Sequence, residues 1–482
     1  MKITRREFNT MFSAAVAGSA LPQMPQLNQA KEPDNDRWNL LMITNDQHRA
    51  DCLGCLGNPV IQTPRVDQLA SEGALFERHY VQCPQCVPSR SALYTGRYPH
   101  VNLTPTNLFH LSPKENTLAT VLNANGYLTA SVGEMPFAPT NYVAGIQRNV
   151  ASGREYDAFL ASQGWAGKAL SEQRRQLLAD KETQSKMHFQ AAADPWPAEL
   201  DETAFYADKA VEFLSENRQR PFFLHVNFRR PHHPFDPPVP YDRMYQDAVF
   251  PPSVKREGEM GNKPPWQQRE SRRLAMSDAE LHRIKSYYYG MISLNDHYIG
   301  RILDHLKSLG LSEKTIVVFN ADHGEMLGDH GLLYKGSIFY EGVVRVALVI
   351  RAPGKINSGV RVRELVEEID LMPTVLDMLG LSAPPGIQGV SLMPCLHDGT
   401  VKHDAVHSEF PGIKMLRTND WKLVHYVGAS YGELYDLRED PTELTNLYAD
   451  SKGAEARAHL QHMLVDWLIR SQDPLLQPIP AI

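Results

Sequence analysis

Short apolar runs recur along the chain, and most of them stop on residues with chemistry. Leu40-Leu41-Met42-Ile43 runs into Thr44-Asn45-Asp46-Gln47, and Phe222–Phe228 runs into Arg229-Arg230-Pro231-His232. Ile316–Phe319 leads to Asn320 and then to Asp322-His323, and Val346–Ile350 is a fourth run. Runs of this length, apolar throughout or interrupted only by His225 and Asn227 in the second, read as strands buried on both faces. Helical patterns lie between them at 203–217, 278–308 and 370–379. The alternation predicts an α/β fold with a mainly parallel sheet flanked by helices. Such sheets bind ligands beyond the carboxyl ends of their strands. Three runs that end on Asp or His therefore point to a site. Residues 142–202 and 236–277 carry no strong strand pattern and are expected to be insertions that shape access. Past about residue 396 the pattern shortens to pieces at 415–418, 421–426 and 432–437, then a helix over about 453–470. This predicts a smaller antiparallel sheet with one helix. The expected organisation is a catalytic domain over 36–395 and a C-terminal subdomain over 396–482.

Composition narrows the class. With 482 residues, 42% of them hydrophobic, the chain can bury a large core. A formal net charge of −7 argues against a nucleic-acid partner. Five cysteines are too few for a disulfide scaffold at this length. At the N-terminus, Thr4-Arg5-Arg6-Glu7-Phe8 precedes an apolar run from Met11 to Leu21. That pattern marks residues 1–30 as a twin-arginine signal peptide and linker, with the export machinery as partner and the bacterial periplasm as destination. The run is too short for a stable membrane span.

The most specific stretch is Cys86-Val87-Pro88-Ser89-Arg90-Ser91-Ala92-Leu93-Tyr94-Thr95-Gly96-Arg97, which reads C-x-P-S-R-x-x-L-x-T-G-R. Pro88 is suited to open a helix, whose free N–H groups and dipole would favour an anion beside Cys86. Arg90 adds a forked cation. Two other readings of the cysteine remain. Cys52-x-x-Cys55 with Cys83-x-x-Cys86 has the spacing of a Cys₄ zinc site, and Cys83 with Cys86 that of a redox dithiol. The residues downstream of Cys86 favour the first reading, with Cys52, Cys55, Cys83 and Cys395 as structural thiols.

That stretch resembles the maturation signature of type I sulfatases, in the alkaline phosphatase superfamily. The resemblance implies an alkaline-phosphatase-like fold and a Cys86 oxidised to formylglycine by a dedicated maturase. The hydrated aldehyde offers two hydroxyls: one attacks the sulfate ester, and deprotonating the other ejects sulfate. The resemblance further implies a metal shell of Asp46, Gln47, Asp322, His323 and the modified Cys86. Oxygen-rich ligation suits Ca²⁺, with Mg²⁺ or Mn²⁺ as alternatives. Lys335, in Lys335-Gly336 before Tyr340-Glu341-Gly342, would contact sulfate, and His232 would assist the leaving group. Asn107 is a further match to a substrate-binding residue. The ending Glu433-Leu434-Tyr435-Asp436-Leu437 resembles the C-terminal subdomain of the same family. The implied substrate is a sulfated small molecule or glycan, such as a polysaccharide. One segment departs from the pattern: Gly133-Glu134-Met135-Pro136 stands where sulfatases have Gly-Lys-x-His. This leaves the base for sulfate release unassigned. A branch resembling phosphonate monoester hydrolases shares the departure, so a phosphonate or phosphodiester hydrolase is the second reading. A catalytically inactive protein that binds sulfated ligands is the third.

Overall fold

The computed structural model describes residues 37–133, 145–151, 153–165, 191, 193–194, 196–397 and 403–472. The signal-peptide reading and the Glu134 segment lie outside the described residues. Nine strands form the main sheet: β1 (Asn39–Asp46), β2 (Ala74–Tyr80), β3 (Leu128–Gly133), β4 (Arg148–Ala151), β5 (Phe222–Pro231), β6 (Thr315–Ala321), β7 (Arg345–Arg351), β8 (Val360–Val362) and β9 (Val366–Glu367). The order is β4-β3-β5-β1-β6-β7-β2-β8, with β9 also on β2. The sheet is mainly parallel, as the alternating pattern predicts. The exception is β7, which runs antiparallel to both β6 and β2. Strand direction cannot be read from a uniformly apolar run such as Val346–Ile350. The segment expected to be pure insertion before residue 202 also contributes β4, a short edge strand paired with β3.

Successive residues of the central strands enter different cores, which is why these strands carry apolar residues on both faces. Leu41, Ile43, Val317, Phe319, Leu224 and Val226 pack against the helices Glu202–Asn217 and Asp278–Ser308. Leu40, Met42, Ile316, Val318 and Phe223 pack on the opposite face, where Leu93 and Tyr94 of the Cys86–Thr95 helix and Leu371–Met378 lie. The long helix starts at a capping box, with the Ser277 hydroxyl accepting from Glu280 N–H and the Glu280 carboxylate accepting from Ser277 N–H.

A second sheet of four antiparallel strands follows, β10 (Val406–Phe410), β11 (Ile413–Arg417), β12 (Trp421–Tyr426) and β13 (Gly432–Asp436). The Ala454–Gln472 helix closes it through Leu460, Leu464 and Trp467. Buried Lys422 of β12 joins this sheet to the main domain. Its ammonium lies 2.8 Å from Glu341 and 2.6 Å from Glu443, and it donates to the Phe339 carbonyl at 3.0 Å. In the register of the main sheet, Asn45 of β1 faces Ala321 of β6, and Asp46 faces Pro231 of β5. The ends of three adjacent parallel strands therefore deliver Asp46, Asp322 and His232 to one edge.

Several histidines are buried in this framework. Burial pushes His79 on β2 and His225 on β5 down to about 3, and His48 down to about 4. Their unfolded forms titrate near 6.5, so the unfolded chain binds more protons between these values. Stability is present above about pH 6.5 and falls as pH drops toward 3. We expect His79→Leu to reduce the slope of unfolding free energy against pH by about 1.4 kcal/mol per unit near pH 5. Denaturant titrations across that range measure it, and an unchanged slope contradicts the assignment.

Candidate active site

Asp46 is the last residue of β1, and Gln47 follows it with a left-handed backbone (φ 67°). The turn is pinned at both ends. Gln47 N–H donates to Asp322 Oδ1 at 3.0 Å, and the Tyr288 hydroxyl donates to the Gln47 carbonyl at 2.6 Å. Asp322 and His323 follow β6 directly. Gly324 then allows a close backbone approach: its N–H donates to Val343 O at 2.8 Å, and a Cβ there would meet Gly342 O at 2.0 Å. Any side chain at 324 would push the Asp322-His323 turn away from the site.

Cys86 is itself the first residue of its helix, with Gln85 as N-cap and Pro88 inside the first turn. This corrects the expectation that Pro88 opens the helix and Cys86 precedes it. The first helical bond runs from Ser89 N–H to Gln85 O, at 3.1 Å. Pro88 is tolerated because the first N–H groups of a helix have no intrahelical partner. The anion-favouring end of the helix still falls at residue 86.

Arg90, one turn along, organises the carboxylates. Its guanidinium donates to Asp46 Oδ2 at 2.6 Å and through Nε to Asp322 Oδ2 at 2.9 Å. Asp46 Oδ1 is left turned inward, 3.7 Å from Cys86 Sγ, 3.5 Å from His323 Nε2 and 3.7 Å from Lys335 Nζ. His323 Nδ1 donates to the Gly324 carbonyl at 3.0 Å, so its Nε2 is an unprotonated acceptor 3.2 Å from Cys86 Sγ. Lys335 Nζ lies 3.2 Å from the same sulfur. One potential ligand atom from each of Asp46, Cys86, Asp322 and His323 falls within 4.8 Å of the others. Gln47 Oε1 is buried and, among the described residues, has no hydrogen-bond partner. An unsatisfied buried carbonyl beside carboxylates and a bare imidazole nitrogen fits a divalent cation with a preference for oxygen. Among the described residues no cluster gathers Cys52, Cys55 and Cys83, which removes the Cys₄ zinc reading.

The electrostatics follow from burial opposed by ion pairing. Burial alone would raise the Asp46 carboxyl, but the Lys335 and Arg90 cations hold it well below the usual carboxylate range. Burial and the Asp46 charge push the Cys86 thiol up to about 12. As a thiol, Cys86 is therefore protonated and weakly nucleophilic at neutral pH. Lys335 is raised despite its burial, because Cys86, Asp46 and Asp322 favour its charged form.

His232 is reached through a buried ionic cluster that the sequence pattern did not reveal. Arg230 pairs with Asp201 at 2.6 Å, Asp236 at 2.5 Å and Asp194 at 3.0 Å. Asn295 of the long helix donates to the Arg230 carbonyl at 2.6 Å. His232 Nδ1 donates to the His233 carbonyl at 2.6 Å, and burial pushes the ring down to about 3. In the free protein its Nε2 is thus an acceptor. Donating a proton there requires an incoming anion to raise the imidazole first.

Three residues beyond the expected set also belong to the site. His233 stacks on His232 with ring centroids 4.1 Å apart and packs tilted against Tyr334 at 4.4 Å, and Glu325 contacts both Gln47 and the Lys335 loop. The only sequence signal for Glu325 was its position right after Asp322-His323-Gly324. Asn107 lies beside the nucleophile helix, where its Oδ1 accepts from Val87 N–H at 3.0 Å. That bond makes it a cap for the helix.

A doubly covered α/β sheet with this cluster at its carboxyl edge defines an alkaline-phosphatase-like hydrolase. The chain belongs to the sulfatase family: the family model described as Sulfatase matches residues 38–381. A second model, described as N-sulphoglucosamine sulphohydrolase, C-terminal, matches residues 328–470. The chain is 31% identical to an arylsulfatase of Clostridium perfringens, covering 89% of this chain and 93% of that one. It is 27% identical to the multifunctional alkaline phosphatase superfamily protein PehA of Trinickia caryophylli, covering 91% and 97%. Among solved structures, a phosphonate monoester hydrolase of Agrobacterium radiobacter superposes with a TM-score of 0.79 at 28% identity, covering 91% and 97%. The enzymatic class is that of a sulfuric ester hydrolase.

The Asn107 bond generates a direct check. Asn107→Ala is expected to lose about 1 kcal/mol of stability, as removal of a helix cap does, and Asn107→Asp to restore it. Chemical denaturation measures both. An Asn107→Ala protein of unchanged stability but raised KM would assign the residue to substrate instead.

Proposed function

We propose that the chain hydrolyses a sulfate ester on an exported sugar or polysaccharide, using formylglycine made from Cys86 and a divalent metal, with Ca²⁺ favoured. The supporting observation is the gathering of Asp46, Asp322, His323 and Lys335 around the Sγ of residue 86, with Arg90 bridging the two carboxylates. Oxidised and hydrated, residue 86 would supply a gem-diol, one hydroxyl attacking sulfur and the other releasing sulfate by C–O cleavage. The metal, held by Asp46, Gln47, Asp322, His323 and that residue, would supply Lewis acidity.

The other residues act on binding and protons. Lys335 and Arg90 keep the pocket positive enough for an anionic ester, Lys335 through its ammonium beside position 86. An anionic ester raises the His232 imidazole, which then carries the proton to the leaving oxygen. Twin-arginine export to the periplasm belongs to the same reading, since that route carries a protein already folded and modified. It rests on Arg5-Arg6 and the apolar run alone.

A second reading is hydrolysis of phosphonate monoesters or phosphodiesters by the same nucleophile. The likeness to the Agrobacterium phosphonate monoester hydrolase favours it, as does Glu134 in place of the usual lysine.

The deciding experiment compares kcat/KM for an aryl sulfate and a matched aryl phosphonate monoester, with the protein co-produced with a formylglycine maturase. Sulfate preference, with no turnover by Cys86→Ala, is expected; phosphonate preference overturns the first reading. His232→Ala should cost roughly 10²–10⁴-fold in kcat on poor leaving groups and much less on good ones. An equal loss on both would remove His232 from the acid role.

A further inference from the structure

A metal ligand that is an amide poses a problem a carboxylate does not. Only one of its two ends can bind a cation, and a flip of the side chain replaces the carbonyl with an NH₂ group. In the metal reading above Gln47 is such a ligand, and its Oε1 is buried with no hydrogen-bond partner among the described residues. The other end of the amide is fully engaged. Nε2 donates to Glu325 Oε2 and lies 3.3 Å from His233 Nδ1.

Glu325 divides its two oxygens between two tasks. Oε2 takes the Gln47 amide, while Oε1 accepts the N–H of Leu327 at 3.1 Å and the N–H of Tyr334. Tyr334 has a left-handed backbone (φ 66°) and immediately precedes Lys335. The Glu325 side chain is fully buried. A single carboxylate therefore fixes which end of Gln47 faces the cation and anchors the loop that brings Lys335 to residue 86.

We infer that Glu325 is a positioning residue that locks the Gln47 amide with its carbonyl toward the metal. The inference rests on the metal reading above and adds a residue that contacts neither metal nor substrate. It makes a specific claim about polarity. Glu325→Gln keeps an Oε1 acceptor for Leu327 and Tyr334, so the loop and the fold are retained. It replaces Oε2 with an NH₂, which faces the Gln47 NH₂ and drives the amide to flip. A flipped Gln47 presents protons to the cation. In a Gln47→Glu background the pairing reverses: Glu325 now opposes a second carboxylate, and E325Q supplies the donor that the new carboxylate at position 47 needs.

The test is calorimetric titration of Ca²⁺ and Mn²⁺ into the chelator-stripped full-length protein, with Glu325→Gln, Gln47→Glu and the double variant alongside. E325Q alone is expected to weaken binding by about 10–100-fold, the usual cost of losing an outer-shell partner. In the Q47E background the same substitution is expected to strengthen binding. Thermal unfolding of the metal-free proteins should show E325Q as native as the parent. An effect of the same sign in both backgrounds overturns the inference, as does unchanged affinity in E325Q or an E325Q chain that does not fold. If the unsubstituted protein binds neither cation, the metal reading itself fails and the inference falls with it. If it binds and only the sign reversal is missing, the metal reading stands and Glu325 is structural.

Discussion

Arg90 is the interaction on which the site depends. Two carboxylates from neighbouring strand ends, Asp46 and Asp322, are both buried, and their mutual repulsion in a medium of low polarity would drive one of them to protonate. The guanidinium takes one oxygen of each at hydrogen-bonding distance, which leaves Asp46 Oδ1 turned toward residue 86 and Asp322 Oδ1 to accept the Gln47 N–H. Because Arg90 sits one turn after Cys86, the same contact docks the N-terminus of the nucleophile helix onto the sheet edge. The strand order β5-β1-β6 then has a chemical meaning: it sets the carboxylates at the spacing that one planar fork bridges.

The charge balance around residue 86 follows from this. Asp46 and Asp322 are matched by Arg90 and Lys335, and His323 and His232 are held neutral by burial. Without a cation these four charges balance, two carboxylates against one guanidinium and one ammonium. A divalent cation held there would add net positive charge, as binding of an oxyanion requires. Gln47 contributes to that outcome, because a carboxylate in its place would cancel one unit of the cation's charge. The thiol at residue 86 is a poor reagent in the same surroundings. Burial and Asp46 keep it protonated, an environment that disfavours thiolate chemistry and accommodates a neutral diol.

Much of this was legible in the sequence because the relevant signals are local. Strand ends are marked by an apolar run followed by Asp or His, and the Cys86 signature is contiguous. What was not legible depends on distant partners. Nothing in the run Arg229-Arg230-Pro231-His232 shows that Arg230 is buried among Asp194, Asp201 and Asp236, which come from distant positions or beyond the turn. The reversed direction of β7 left no mark in Val346–Ile350, because the residues are apolar in either direction. Strand β10 escaped notice because Val406–Phe410 mixes His, Ser and Glu with two apolar residues. Its polar groups are buried against Glu367 and Gln82 of the main domain. Asn107 was expected to bind substrate, and its bond to Val87 N–H gives it a capping role that spacing alone did not suggest.

The central claim is that residue 86 acts as an oxidised, hydrated group in a pocket where its thiol is inert. Mass spectrometry of the peptide spanning residue 86, on preparations made with graded amounts of maturase and assayed in parallel, tests it most directly. The expected result is a kcat that rises in proportion to the fraction of Cys86 converted to formylglycine and extrapolates to zero at none. Full activity in protein whose residue 86 is entirely unmodified cysteine would contradict it.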